Sequence, residues 1–153
     1  MNITDMLKKE FVIEELKSRT GREVLTELSK VFLRYHTKID YDNMVEVLLE
    51  REKLGSTGIG DGIAIPHGKI AGLESLIVSF GRSKNGVDFD SMDGKPVHIF
   101  FLLMAPENSA GQHLKALAKI SRMLKDSSFR TNLMNAKSAE DLYKTIVEKG
   151  KVS

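Results

Sequence analysis

The run Val97-His-Ile-Phe-Phe-Leu-Leu-Met104 is apolar on both faces of an extended chain, apart from His98. A strand without polar alternation is covered on both sides, so this one is expected to lie centrally in its sheet. The rest of the chain supplies what covers it. A short helix is expected over residues 1–10, capped by Asn2 or Thr4, then a strand at Phe11-Val12-Ile13. Thr20 or Ser18 opens a helix over Arg22 to Tyr35, with Val24, Leu25, Leu28, Val31 and Phe32 at helical spacing. Asp40 is placed to cap the next helix, which carries Met44, Val47 and Leu48 and ends near Gly55. Leu76 to Phe80 predicts a strand, and the Asn85-Gly86 pair predicts a hairpin turn before a short strand at Val87-Asp-Phe89. After the central strand, Pro106-Glu-Asn-Ser109 is a break. A helix is expected from Ala110 to Lys125 with Leu114, Leu117, Ile120 and Leu124 inward, then a turn or two at Phe129–Met134. Ser138 caps a last helix with Leu142, Ile146 and Val147 on its apolar face. Helices mixed with short strands imply an α/β layer fold with a mixed sheet.

The chemistry concentrates in Arg51-Glu-Lys-Leu-Gly-Ser-Thr-Gly-Ile-Gly-Asp-Gly-Ile-Ala-Ile-Pro-His67-Gly68. Gly55, Gly58, Gly60, Gly62 and Gly68 are five of the chain's 12 glycines. They surround a short strand, Ile63-Ala-Ile65, and glycine lets another molecule approach the backbone closely. Pro66 fixes its own φ and biases Ile65 towards extended geometry, so His67 is held at a strand end. A P-loop requires Lys-Ser/Thr after its last glycine, but Asp61-Gly62 follows Gly60; the third glycine of a dinucleotide fingerprint is replaced by Ile63. What remains is an imidazole beside glycine-rich amides with Arg51 in reach, a combination suited to a phosphoryl group on histidine. Arg51 also has a plainer reading, as a cation at a helix C-terminus. Ser56 and Thr57 either bind phosphate or tie down the loop.

This motif closely resembles the phosphohistidine signature of the EIIA domains of the bacterial phosphotransferase system, in the fructose/mannitol/nitrogen-regulatory branch. Ala105-Pro-Glu-Asn-Ser-Ala-Gly-Gln-His113 resembles the segment that holds the family's second active-centre histidine. The similarity runs from about residue 11 to the end. It implies a single type-2 EIIA domain over 1–153, with a central mixed sheet flanked by helices on both sides. It implies His67 as phosphoryl acceptor through Nε2, with His113 beside it and Arg51 stabilising charge. Ser56, Thr57, Gly58 and Gly60 would form the phosphate-binding loop. The donor would be a small phosphocarrier of the HPr/NPr type. The acceptor would be either a regulatory protein target or an EIIB domain of a sugar uptake system. The Asp93-Gly-Lys-Pro-Val-His98 run looks most like the nitrogen-regulatory branch.

Composition narrows the alternatives. With 23 basic and 21 acidic residues the net charge is +2, without the basic stripe of a nucleic-acid binder. There is no cysteine, so thiolate metal sites are excluded, and no His-x-x-x-His pair suggests a metal; no cofactor is expected. The longest apolar run, Ile99 to Ala105, is far below the roughly 20 residues of a membrane span, and Met-Asn-Ile-Thr-Asp does not read as a signal peptide. A cytoplasmic protein is the expectation. His36 is expected to be solvated, His98 hydrogen-bonded in the core or at an edge, and Asp61 to turn away from a phosphoryl group or orient an imidazole. Ile59, Ile63 and Ile65 are candidates for an apolar docking surface, although Ile63 and Ile65 suit a core equally.

Overall fold

The computed structural model describes residues 2–153. Its strands are β1 (Val12–Ile13), β2 (Gly58–Gly60), β3 (Ile63–Ala64), β4 (His67–Ile70), β5 (Ile77–Val87) and β6 (Val97–Pro106). The helices are α1 (Gly21–Lys30), α2 (Tyr41–Lys53), α3 (Ala110–Lys125), α4 (Ser127–Asn135) and α5 (Ala139–Lys151). The strands form one mixed sheet in the order β1-β5-β6-β3-β2, and β4 also pairs with β6. β6 is central, as its two apolar faces require, and every residue from Phe100 to Ala105 is fully buried.

β3 and β4 run parallel to β6 in one register, Ile63 opposite Ile99 and His67 opposite Leu103. They are two halves of one strand interrupted at Ile65-Pro66. β5 is antiparallel to β6. Arg82 on β5 bonds to carbonyls at the end of α4, while its neighbour Gly81 lies under Leu28 of α1. Successive residues thus meet helices on opposite faces, with α1 and α2 on one and α3 and α4 on the other. Edge-to-face aromatic pairs stack within these layers, Phe80 on Phe101 and Phe89 on Phe100.

Two of the expected caps form. Asp40 accepts the amide of Asn43 at 3.1 Å, and Ser138 accepts that of Asp141 at 3.0 Å. Thr20 precedes α1, but its hydroxyl donates to Glu23 at 2.6 Å instead of accepting a backbone amide.

Four expectations are corrected. Residues 2–10 form no α-helix: two short 3₁₀ turns, Ile3–Asp5 and Lys9–Phe11, bury Ile3 and Phe11 without side-chain caps at Asn2 or Thr4; Met1 lies outside the described residues. α1 stops at Lys30 and tightens into a 3₁₀ turn over Val31–Arg34. Asn85-Gly86 makes no hairpin. It lies in a bulge of β5, where Arg82 faces Ile99 but Val87 already faces Val97. Gly86 takes a φ of 89° there, and its amide is held by Ser83 Oγ at 3.0 Å. Leu114 does not point inward: it is 68% exposed, and α3 buries His113, Ala116, Ile120, Met123 and Leu124.

Candidate functional site

His67 is the first residue of β4, and its side chain faces α3. The next residue, Gly68, faces α2 on the other side of the sheet. A Cβ at Gly68 would meet Val47 Cγ1 of α2 at 2.7 Å, so glycine is what lets α2 press onto this edge. One helical turn beyond Val47 on the same face stands Arg51. The sheet edge therefore receives His67 from β4, Arg51 from the end of α2 and His113 from the first turn of α3.

His67 Nδ1 lies 2.8 Å from the carbonyl oxygen of Ile65. A carbonyl can only accept, so Nδ1 carries the proton and the lone pair resides on Nε2. The His67 and His113 rings meet edge to face with centroids 5.5 Å apart. His113 is 6% exposed, and its Nε2 is buried without a hydrogen-bond partner among the described residues. A buried polar atom left open in this way costs free energy and is rare.

Both rings are held neutral. Burial lowers the pKa of His67, and the Arg51 guanidinium lowers it further; the bond to Ile65 and the carboxylate of Glu52 pull the other way. Burial pushes His113 down to about 4, with His67 and Lys69 adding repulsion.

The loop residues expected to bind phosphate make internal bonds. The hydroxyl of Ser56 donates to Phe89 O at 3.2 Å and accepts the amide of Gly58 at 3.0 Å. Thr57 is buried, and both its amide and its hydroxyl donate to the carboxylate of Glu52. These hydroxyls and the Gly58 amide bond within the loop and to its neighbours. Gly60 pairs across β2 and β3 with Ile63, at a φ of 95°. Arg51 Nη1 donates to Gly55 O at 2.7 Å, which steadies the loop; its other nitrogens have no hydrogen-bond partner among the described residues.

Glu52, which with Arg51 leads the recognised motif but was given no role of its own in the sequence reading, receives both Thr57 bonds. Asp61 is exposed in left-handed backbone and lines a groove with His98, Ser127 and Arg130. His98 is half-buried and bonded through Nδ1 to Ser83 O at 2.8 Å, and His36 is half-buried rather than solvated. Ile63 and Ile65 belong to the core, whereas Ile59 is 52% exposed. Among the described residues no group of three or more His, Cys, Asp or Glu is placed to hold a metal ion. Nor is any described helix long and apolar enough to cross a membrane.

Residues 5–149 match the family described as phosphoenolpyruvate-dependent sugar phosphotransferase system, EIIA 2. A nitrogen regulatory protein of Bradyrhizobium diazoefficiens is 41% identical over 146 residues, which is 95% of each chain. The fructose-specific EIIABC component of Bacillus subtilis is 38% identical over 140 residues, 92% of this chain and 22% of that protein. Among solved structures, the nitrogen regulatory protein IIA-Ntr of Neisseria meningitidis superposes with a TM-score of 0.87 at 35% identity, covering 94% of this chain and 98% of that one.

Proposed function

Since the chain belongs to the EIIA 2 family of the phosphoenolpyruvate-dependent sugar phosphotransferase system, we propose that it accepts a phosphoryl group on His67 Nε2 from a phosphohistidine carrier of the HPr/NPr type and acts as a nitrogen-regulatory IIA component. The observation that carries this reading is the Nδ1 bond to Ile65 O, which leaves the Nε2 lone pair free beside the partnerless His113.

The step balances without a base. The lone pair of Nε2 forms the new N–P bond as the donor's N–P bond breaks, and the donor imidazole recovers that electron pair. Because His67 is neutral below its ordinary pKa range, it is a nucleophile at neutral pH with no proton to remove first. Nitrogen-to-nitrogen transfer is near thermoneutral in type, so the protein's work is alignment and charge stabilisation. The free nitrogens of Arg51 and the open Nε2 of His113, in its protonated tautomer, suit the phosphoryl oxygens. Exposed Ile59 and Leu114, with Lys69 and Lys115, give an apolar contact and a basic rim for an acidic-faced carrier.

The regulatory reading rests on the relative that aligns along 95% of both chains. The second reading, a IIA component passing its phosphoryl group to an EIIB domain for fructose or mannitol uptake, is favoured by the 38% identity to a fructose-specific EIIABC component. Incubation with phosphoenolpyruvate and purified carrier proteins should label the chain with an acid-labile phosphoryl group, and His67→Ala should take none. Labelling that persists in His67→Ala refutes the proposal. Onward transfer to a purified EIIB separates the two roles.

A further inference from the structure

Glu52 sits on the last turn of α2, directly after Arg51. Its carboxylate takes the Thr57 amide at 3.0 Å on Oε2 and the Thr57 hydroxyl on Oε1. Thr57 is 4% exposed, so water does not compete for these bonds. The Thr57 carbonyl in turn takes the amide of Ile65 at 3.1 Å. The Ile65 carbonyl takes His67 Nδ1 at 2.8 Å. An unbroken series of hydrogen bonds thus joins a carboxylate on α2 to the proposed reactive ring.

Pairing with β6 explains why the series passes through Ile65. The ladder holds Ile63 and Ala64 and continues at His67, with the Pro66 carbonyl accepting the Leu103 amide of β6 at 2.9 Å; Ile65 makes no bond to β6. Alternate residues of a strand turn their backbone groups to opposite sides, so Ile65 directs its amide to the Thr57 carbonyl and its own carbonyl to the imidazole, away from β6. The amide and carbonyl of Thr57 belong to different peptide units, as do those of Ile65. Charge is not conducted along such a series. What passes is position: fixing Thr57 fixes Ile65, and that fixes the direction from which Nδ1–H is taken.

We infer that Glu52 is a positioning residue for phosphoryl acceptance, setting the orientation and tautomer of His67 through Thr57 and Ile65. This rests on the function proposed above. The carboxylate has a second effect through space. When Nε2 gains phosphorus with Nδ1–H still in place, the ring becomes cationic, and a nearby anion stabilises it. Glu52 already raises the proton affinity of His67 in the resting protein, opposing Arg51.

The test reads the ring without any phosphoryl donor. In uniformly ¹⁵N-labelled protein at pH 8, long-range proton–nitrogen spectra should show wild-type His67 as the Nδ1–H tautomer alone. Glu52→Ala should show mixed tautomers at His67 with His36 and His98 unchanged, and phosphorylation by the carrier should slow about tenfold, as when a carboxylate behind a ligating histidine is removed. Glu52→Gln keeps an oxygen for Thr57, so it should restore the tautomer while remaining slower than wild type. Where Glu52→Ala fails to fold, Thr57→Val removes the hydroxyl grip and should mix the tautomers in the same direction. An unchanged tautomer in the folded variant overturns the inference, whatever the rate. A wild-type chain that takes no phosphoryl group would sink the proposed function and leave the tautomer result to decide this point separately.

Discussion

Replacing His113 with leucine should change acid stability in a calculable way. The buried imidazole titrates at about 4, against 6.5 when freely solvated. The unfolded chain binds the proton more tightly, so stability falls as pH falls. Above pH 6.5 the group contributes nothing to the pH dependence; the loss accrues between 6.5 and about 4 and is complete below. At about 1.4 kcal/mol per unit, the full loss is about 3 kcal/mol, of which about 2.5 kcal/mol is reached by pH 4.5. His113→Leu removes this titration and also the partnerless Nε2, which costs about 1–3 kcal/mol when left buried. Urea unfolding should therefore find the variant at least as stable as wild type at pH 7.5. The gap should widen by about 2.5 kcal/mol at pH 4.5, a midpoint difference on the order of 1 M. His67, whose pKa is lowered in the same direction, titrates in both proteins, and its coupling to the neighbouring His113 is part of what the difference reads. The variant should also accept a phosphoryl group far more slowly. Parallel stability curves from pH 7.5 to 4.5 would show that His113 is not buried neutral, and the reasoning would fail.

Two further outcomes follow from close contacts. Gly68→Ala places a Cβ 2.7 Å from Val47 Cγ1, which has no long flexible arm to swing aside. α2 must lift from β4, at a cost of about 1–3 kcal/mol. Arg51 and Glu52 move with it, so phosphoryl acceptance should fall more than stability does in a paired melting and labelling experiment. Arg82 is buried and bonds to the carbonyls of Glu14, Leu133 and Ala136. Arg82→Met strands those carbonyls and should lower stability by about 3 kcal/mol, seen as a melting shift of roughly 10 °C, while the protein that remains folded still takes phosphate at His67.

What the sequence could disclose was local or strongly patterned. β6 announced itself because no residue from Ile99 to Ala105 is polar, and Asp40 and Ser138 because capping needs one side chain at one position. His67 was legible because proline and glycine confine the backbone around it. The phase of α3 was not. Two stripes on that helix share Ile120 and Leu124, and hydrophobicity favours the one through Leu114. The fold takes the other, because His113 is drawn inward against His67. Asn85-Gly86 carries a turn signal, but a positive φ at glycine serves a bulge as well as a hairpin, and pairing with β6 on both sides of it decides the matter. Glu52 stood in the motif without a role for a different reason. Its partner, Thr57, is five residues away in chain, but its consequence appears only when Thr57 meets Ile65 across β2 and β3.

Under the proposed function, the neighbouring charges at the end of α2 bear on a conflict inherent in phosphoryl acceptance. A phosphoryl acceptor needs cationic groups for the incoming oxygens, yet a cation alone beside an imidazole weakens it as a nucleophile and destabilises the ring once it turns cationic. An anion alone repels the phosphoryl group. Arg51 and Glu52 lower and raise the proton affinity of His67 respectively. They are held differently: Glu52 is bound to the buried Thr57, whose carbonyl holds the Ile65 amide, whereas Arg51 gives one nitrogen to the Gly55 carbonyl. Opposite charges on adjacent residues would ordinarily cancel at a distance. Here their effects on the same imidazole oppose one another, and under the proposed function that balance suits a ring that is neutral at rest and cationic once phosphorus is attached.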